Sequence, residues 1–199
     1  ENIHAGTLSF EFSYKDEKII TNCGSLEKKF GKKPEYLRCS AAHSTIIINN
    51  TNISELVEKK SYKRAPKKIS LLLKDNENSA EWEANHDGYL QNFNKIVKRK
   101  LIIYKNQNKI IGKDSIINTK ISGGIDTYTI RFHLMPDSSC VLSNNKKTVF
   151  LKTKKNQSWI FKAESQLAIE DSIYVGGGNK IEQNKQIVIN GSLKDKNIT

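Results

Sequence analysis

The feature that most limits how this chain can fold is an alternation of apolar and polar residues with a period of two. In TLSFEFSY, the side chains of Leu8, Phe10, Phe12 and Tyr14 fall on one face and polar side chains fall on the other. This pattern is typical of a β-strand with one buried face. The polar KDEK that follows leads into the apolar IITN, so the segment predicts a first hairpin.

The same alternation recurs along most of the chain, separated by short turns rich in Asn, Gly, Asp and Lys. Helical periodicity is limited to one modest candidate, ISELVEKK. Many short strands at this spacing predict an all-β chain, a large two-layer antiparallel β-sandwich with little helix. The composition does not shift, so we expect a single domain over 1–199. The further predicted strands cover 44–49, 68–73, 80–86, 98–104, 109–117, 127–134, 148–153, 158–163, 167–175 and 186–191.

The charge balance points to an anionic partner. The 199 residues include 33 Lys and Arg against 21 Asp and Glu, a formal net charge of +12. A positive surface attracts polyanions in general and does not identify one. The basic segment EKKSYKRAPKK lacks the interleaved aromatic and arginine residues of a nucleic-acid groove, so nucleic acid is not predicted as a partner. No apolar stretch approaches the ~20 residues of a membrane helix, so no membrane span is predicted.

The cysteines and the start of the chain add two expectations. Cys23, Cys39 and Cys140 are widely spaced without a CxxC pair, which predicts reduced, mostly packed thiols rather than a disulfide framework. Strand-like sequence begins soon after Glu1 and no Met precedes it. We therefore expect the chain to be part of a longer protein.

The histidines are the main candidates for chemistry. His43 lies in CSAAHSTIIINN, before a run that is apolar on both faces and is predicted to form a central strand. A histidine there is a hydrogen-bonded core residue, a proton shuttle or a metal ligand. His133 alternates with Arg131 on a polar strand face, which is either solvated or suited to a carboxylate or sulfate. His86, in NHDGY, is predicted to lie in a surface turn.

Motifs spread over nearly the whole chain resemble those of one family. In order they are HAGTLSFEF, IITNCGS, AAHSTIIIN, HDGY, KRKLIIY, RFHLMP, SIYVGGG and QIVING. They resemble successive motifs in the β-sandwich domain of the heparinase II/III-like polysaccharide lyases. In that family an amino-terminal α/α toroid of helices precedes the sandwich and supplies a catalytic tyrosine and a histidine or asparagine.

The resemblance implies a function for the longer protein. It implies β-elimination, by a bacterial protein, on an acidic, uronate-containing polysaccharide such as a glycosaminoglycan. The chain alone is then expected to be inactive without its amino-terminal helical domain. A periplasmic or cell-envelope location is implied, although the reduced cysteines also fit the cytoplasm. The alternative is a non-catalytic module that binds an anionic glycan or has a structural role.

The resemblance also implies a metal site, commonly for zinc. Its ligands fall at His4, Asn22 and His43, and Asn22 stands where the family has an aspartate. A neutral amide in place of a carboxylate predicts that zinc binding is weak or absent. The expected imidazole pair of His4 and His43 should still lie within a few ångströms.

Other polar positions of the family pattern are changed as well. Asn2 stands where the family has a histidine that reaches the active site, and Gly6 replaces an acidic residue. We expect Asn2, Arg131 and His133 to be the substrate-binding residues of this chain, and we assign no catalytic residue within it.

Overall fold

A computed structural model describes residues 4–25, 35–57, 61–120, 124–176 and 180–193. It confirms an all-β chain of antiparallel sheets. Within these residues, helix is limited to a short α-helix, α1 (Leu90–Phe93), and two 3₁₀ turns, Glu35–Arg38 and Ser40–Ala42. The strands are β1 (Phe12–Tyr14), β2 (Glu17–Thr21), β3 (Ile46–Ile48), β4 (Glu55–Val57), β5 (Ser61–Arg64), β6 (Ile69–Asp75), β7 (Ser79–Tyr89), β8 (Lys95–Tyr104), β9 (Lys109–Asn118), β10 (Asp126–Leu134), β11 (Ser139–Leu142), β12 (Thr148–Lys152), β13 (Ser158–Lys162), β14 (Leu167–Gly176) and β15 (Lys180–Leu193).

The chain divides into two compact units. The first consists of Glu1–Asn52 and Thr127–Gly191, and the second of Ile53–Asp126 and Ser192–Thr199. Each unit contains its own sheets. Among the described residues, none of the helices has the length and apolar character needed to cross a membrane.

The first unit is built on a six-stranded sheet. Its strands follow the order β1-β2-β10-β15-β14, with β3 paired to β10. The β14–β15 hairpin is long and regular, and apolar residues face one another at the end far from its turn, as in the pair of Leu167 and Ile189. β3 is fully buried, as its triple isoleucine predicts, but it is a short strand that pairs with β10 rather than a long central one.

A second, three-stranded sheet of the order β11-β12-β13 belongs to the same unit. Aromatic side chains join the two sheets: the Phe132 ring on β10 lies 4.9 Å from the Phe161 ring on β13, centroid to centroid. The Trp159 ring contacts the rings of Phe12 at 5.4 Å and Tyr14 at 5.2 Å. Inclined ring pairs of this kind contribute beyond the apolar area that they bury. Two sheets joined by interleaved side chains are the arrangement of a sandwich.

The second unit contains a four-stranded antiparallel sheet, β6-β7-β8-β9, and the β4–β5 hairpin. Its long β-strands bury charged side chains as well as apolar ones. Arg99 on β8 lies between Ala84 on β7 and Asp114 on β9, and the small alanine leaves room for the guanidinium. Arg99 donates to both carboxylate oxygens of Asp114, at 2.7 and 2.8 Å.

Two predictions fail in the second unit. The predicted surface turn at His86 is wrong: this histidine lies within β7 and is completely buried. The modest helix candidate at 53–60 is also wrong where the structure describes it, because Glu55–Val57 forms β4. These three residues pair with β5 in a hairpin, and this pairing outweighs the weak helical periodicity of the segment.

Candidate functional site

The segment around His4 is attached to the segment around His43 by hydrogen bonds from backbone and hydroxyl donors to backbone carbonyls. The Ala5 N–H donates to the Arg38 carbonyl at 2.8 Å, and the Ser40 hydroxyl donates to the Ala5 carbonyl at 2.6 Å. The Thr45 hydroxyl donates to the Thr7 carbonyl at 2.8 Å. Two loops 39 residues apart in sequence therefore run side by side.

His4 and His43 form a direct imidazole pair, as expected from the sequence. His4 Nδ1 lies 3.3 Å from His43 Nε2, and the rings meet edge to face at 89°. His43 Nδ1 is 2.9 Å from the Cys39 carbonyl, which can only accept, so this nitrogen carries the hydrogen. His43 Nε2 is then the acceptor and His4 Nδ1 the donor. Burial of the ring lowers the pKa of His43, which favours this neutral form.

Asn22 lies at the end of β2, beside the residue that follows His43. Its side-chain oxygen accepts from the Ser44 backbone N–H at 2.9 Å. Its side-chain nitrogen donates to a Glu11 carboxylate oxygen at 3.4 Å. Burial acts to raise the pKa of Glu11, but the Lys18 ammonium at 2.6 Å, together with hydrogen bonds from Asn22 and Thr21, lowers that pKa overall. The Asn22 amide therefore connects the Ser44 backbone to a carboxylate, using both its acceptor and its donor.

These residues do not make a complete zinc site. Ligand nitrogens of one tetrahedral zinc are about 3.3 Å apart, since each lies about 2.0–2.1 Å from the metal. The His4–His43 spacing thus suits two of the four positions. The third predicted ligand, Asn22, is uncharged and its oxygen already accepts from Ser44. In the part of the chain that the structure describes, no three His, Cys, Asp or Glu residues are grouped as metal ligands.

His133 is buried next to this pair, with only 1% of the residue exposed. Its Nε2–H donates to the Ala41 carbonyl at 3.0 Å, so Nδ1 accepts from the Ser172 hydroxyl at 2.8 Å. The Cys23 sulfur lies 3.6 Å from the same Nδ1. Burial lowers the pKa of His133 to about 4 and raises the pKa of the Cys23 thiol. Both groups are therefore neutral near pH 7, a structural arrangement rather than an activated thiolate and imidazolium.

Arg131 is only partly buried and lies two residues before His133 on β10. Its Nη1 is buried, without a hydrogen-bond partner among the described residues. Burial lowers its pKa and the Glu170 carboxylate acts in the opposite direction. Gln186 donates to the same carboxylate at 3.4 Å. The assignment of substrate binding to Arg131 and His133 stays a prediction. Of these two residues, Arg131 is partly exposed to solvent, whereas His133 is almost completely buried.

The structure brings His4, His43 and the Asn22 side of β2 together, and it places His133 beside them. Asn2 lies outside the described residues. Sequence reasoning missed Ser172 and Cys23 as partners of His133. Only their positions in the sequence could have pointed to them. Ser172 lies next to polar residues on β14, and Cys23 directly follows the predicted metal position.

The fold is that of an antiparallel β-sheet protein, with a cluster of histidines beside its loops. The sequence model of one family, described as heparinase II/III-like, C-terminal, matches residues 1–199. The chain belongs to this family, as its motifs indicated. No curated protein gives a significant match.

Solved structures support the same fold. A structure titled heparinase III is similar with a TM-score of 0.72 and 15% identity, covering 98% of this chain and 28% of that one. A heparinase III gene product with methylated lysines gives a TM-score of 0.70 and 14% identity, covering 96% of this chain and 28% of that one. The chain thus spans little more than a quarter of the length of these proteins. At such identities the likeness concerns the fold.

Proposed function

We propose that this chain is the carboxy-terminal β-sandwich domain of a lyase that cleaves acidic, uronate-containing polysaccharide by β-elimination. The observation that carries the proposal is the family match over residues 1–199, together with the fold shared with heparinase III. The domain alone is inactive in this proposal. An amino-terminal helical domain of the same protein supplies the catalytic groups.

The chemistry explains why a second domain is needed. β-Elimination requires a base for the proton at C5 of the uronic acid, an acid for the leaving O4, and a group that neutralises the carboxylate. His43 and His133 are buried, and their ring nitrogens already have partners within the protein. These two histidines hold loops in place and are poorly placed to transfer protons to a polymer.

The sandwich contributes charge and shape in this proposal. A net charge of +12 attracts a polyanion over long range. Arg131 is the candidate contact on the described part of β10, because a guanidinium binds carboxylate and sulfate by parallel hydrogen bonds. The Arg131→Ala variant should bind a sulfated or uronate polymer more weakly. Lys113→Ala, which removes an exposed charge from the second unit, is its control.

The test of the activity uses the full-length protein with a panel of uronate polymers. Elimination creates an unsaturated uronate that absorbs in the ultraviolet, so absorbance should rise with time. The isolated 199-residue chain should give no increase. A full-length protein that binds these polymers but never produces the absorbance refutes the lyase proposal.

That outcome would support the second candidate, a non-catalytic module that binds anionic glycan. One specific observation favours it. The Asn22 amide is engaged by Ser44 and Glu11 where the family pattern has a charged ligand, and Gly6 stands in place of an acid. Loss of several polar positions with retention of the scaffold is the expected course when catalysis is no longer required.

The proposal includes a weak or absent zinc site, for the same reason. Elemental analysis of protein purified without chelator tests it. One zinc per chain refutes a weak site.

We also propose a location in the periplasm or cell envelope, where an extracellular polysaccharide is accessible, and fractionation of cells with an antibody to the protein tests this.

A further inference from the structure

The four-stranded sheet of the second unit ends at an unusual edge, β6. In the described part of the chain, β6 pairs with β7 and with no other strand. Every residue of β6 is exposed. Its apolar side chains are 50–64% exposed: Ile69, Leu71, Leu72 and Leu73. Proteins normally protect such an edge with charges, proline or a covering segment, because its open N–H and C=O groups can pair with another strand.

The two faces of β6 show what kind of partner suits it. Leu71 and Leu73 project to one face of the sheet, beside Ala84 and Trp82 of β7. Leu72 projects to the opposite face, next to Glu83. A helix or loop packed on one face would cover only one of these sets. A strand added along the edge would contact both, because its own side chains alternate between the same two faces.

We propose that β6 pairs antiparallel with β6 of a second copy of this chain, on a twofold axis through Leu72. In this register Leu71 lies opposite Leu73 of the partner subunit, and Leu73 lies opposite Leu71 of the partner subunit. Leu72 meets its own copy on the other face. The three central leucines of ISLLLKD are complementary to their own copies, as a twofold contact requires, while Ser70 lies opposite Lys74 of the partner subunit and Ile69 lies opposite Asp75 of the partner subunit.

The charges at the two ends of β6 fit the same register. Lys67 and Lys68 precede the strand, and the Asp87 side chain fixes them by accepting from their backbone N–H groups at 2.8 and 3.0 Å. Glu77 follows the strand and is exposed. An antiparallel arrangement about Leu72 brings Lys67, which precedes the strand, to the same end of the contact as Glu77 of the partner subunit, which follows it. Opposite charges across neighbouring strands favour pairing and like charges oppose it.

The pairing does not depend on the proposed lyase function. It predicts a monomer–dimer equilibrium of the full-length protein, measured by sedimentation over a range of concentrations. Leu73→Lys alters two symmetry-related apolar contacts in each dimer, so it should weaken association at least about tenfold. The control is Ile117→Lys, on β9 at the opposite edge of the same sheet, where the native side chain is 41% exposed. It should leave the dimer unchanged.

Charge reversal tests the register itself. Lys67→Glu alone and Glu77→Lys alone each place like charges across the contact and should weaken the dimer about fivefold. The double variant, Lys67→Glu with Glu77→Lys, restores opposite charges and should return association close to that of the native protein. These positions lie outside the strand and are exposed, so the variants should fold.

Three results overturn the proposal. The first is a full-length protein that stays monomeric at every concentration. The second is a dimer that Leu73→Lys does not weaken, or that Ile117→Lys weakens equally. The third is slow hydrogen exchange, in the monomer, of those β6 N–H groups that point away from β7, which would mean that a segment of the same protein already covers this edge.

Discussion

The two units of this protein bury polar side chains in different ways. In the first unit the buried polar groups around His43 and His133 are imidazoles, hydroxyls and a thiol, and they are neutral. The second unit buries the neutral His86 and, in addition, groups that carry charge: Arg99 binds Asp114 through two hydrogen bonds, and Lys95 lies 2.6 Å from Asp126.

The difference shows which part of the molecule tolerates substitution of its buried polar groups. A buried ion pair costs much to desolvate, and each partner then requires the other, so such pairs fix a structure. Neutral hydrogen-bonded groups can be exchanged by substitution with smaller penalties. The predicted metal position, Asn22, lies beside this cluster, and its amide is hydrogen-bonded through both its oxygen and its nitrogen.

The largest effect is expected from breaking a charged pair of the second unit. Asp114→Ala leaves Arg99 buried without its carboxylate, which should lower the free energy of unfolding by about 3–5 kcal/mol. Urea unfolding measures the loss. Asp171→Ala is the control, because its ion pair with Lys185 lies in solvent and should matter little. Equal losses for both variants would contradict the assignment of a structural role to the buried pair.

Acid should affect one buried histidine in each unit. Burial lowers the pKa of His86 and of His133 to about 4, below the ordinary value of 6.5. The unfolded chain therefore takes up protons first as pH falls, so stability is complete above about pH 6.5 and is lost towards pH 4. For each histidine, the free energy of unfolding should fall by about 2 kcal/mol between about pH 7 and pH 5.

Unfolding by urea at several pH values measures this loss. The variants His86→Gln and His133→Gln should each remove part of the pH dependence, whatever they do to stability at neutral pH. A pH dependence that neither variant reduces would mean that other groups cause it.

Packing against the His43 ring can be tested at Gly6. A Cβ atom at this position would lie 2.5 Å from His43 Cδ2, closer than atoms can pack, so Gly6→Ala must displace the ring. We expect a loss of about 1–3 kcal/mol. Gly124→Ala is the matched control, since nothing lies within 4 Å of its added Cβ. Unfolding of the two variants, and the imidazole NMR signals of His43, check the prediction.

The smallest effect on stability is expected at Asn22. Asn22→Asp keeps an acceptor for the Ser44 N–H but loses the donor to Glu11 and sets two carboxylates together, a loss of about 1 kcal/mol without metal. It also places at position 22 the charged group that the family pattern predicts there. Added zinc should therefore raise the Tm of this variant more than that of the native protein or of Asn22→Ala. Equal shifts in all three would refute this explanation of position 22.

The sequence predicted the fold well where alternation was strong. The strands at 127–134 and 167–175 match β10 and β14 nearly residue for residue, because a one-residue slip would turn every side chain to the wrong face. The pairing of His4 with His43 followed from the family motifs, and the structure places the rings in contact. Hydrophobic periodicity alone cannot predict that two loops far apart in the sequence lie side by side.

The misses have physical causes. His86 looked like a turn residue because Asp and Gly follow it, yet β7 continues through these residues and the Gly88 N–H donates to His86 Nδ1 at 3.0 Å. The polar face of His133 looked open because its neighbours are hydrophilic. A strand pattern distinguishes two faces and cannot say which polar face the 3₁₀ turn at Ser40–Ala42 will cover.

The burial of Cys23 has a practical use. A thiol reacts as its thiolate, and this one is held neutral beside His133 and Ser172, shut away from reagents. Cys39 and Cys140 are partly exposed and will be alkylated first. The slower modification of Cys23 would then report the rate at which the loops over the histidine cluster open. Mass spectrometry could measure this rate without any introduced probe.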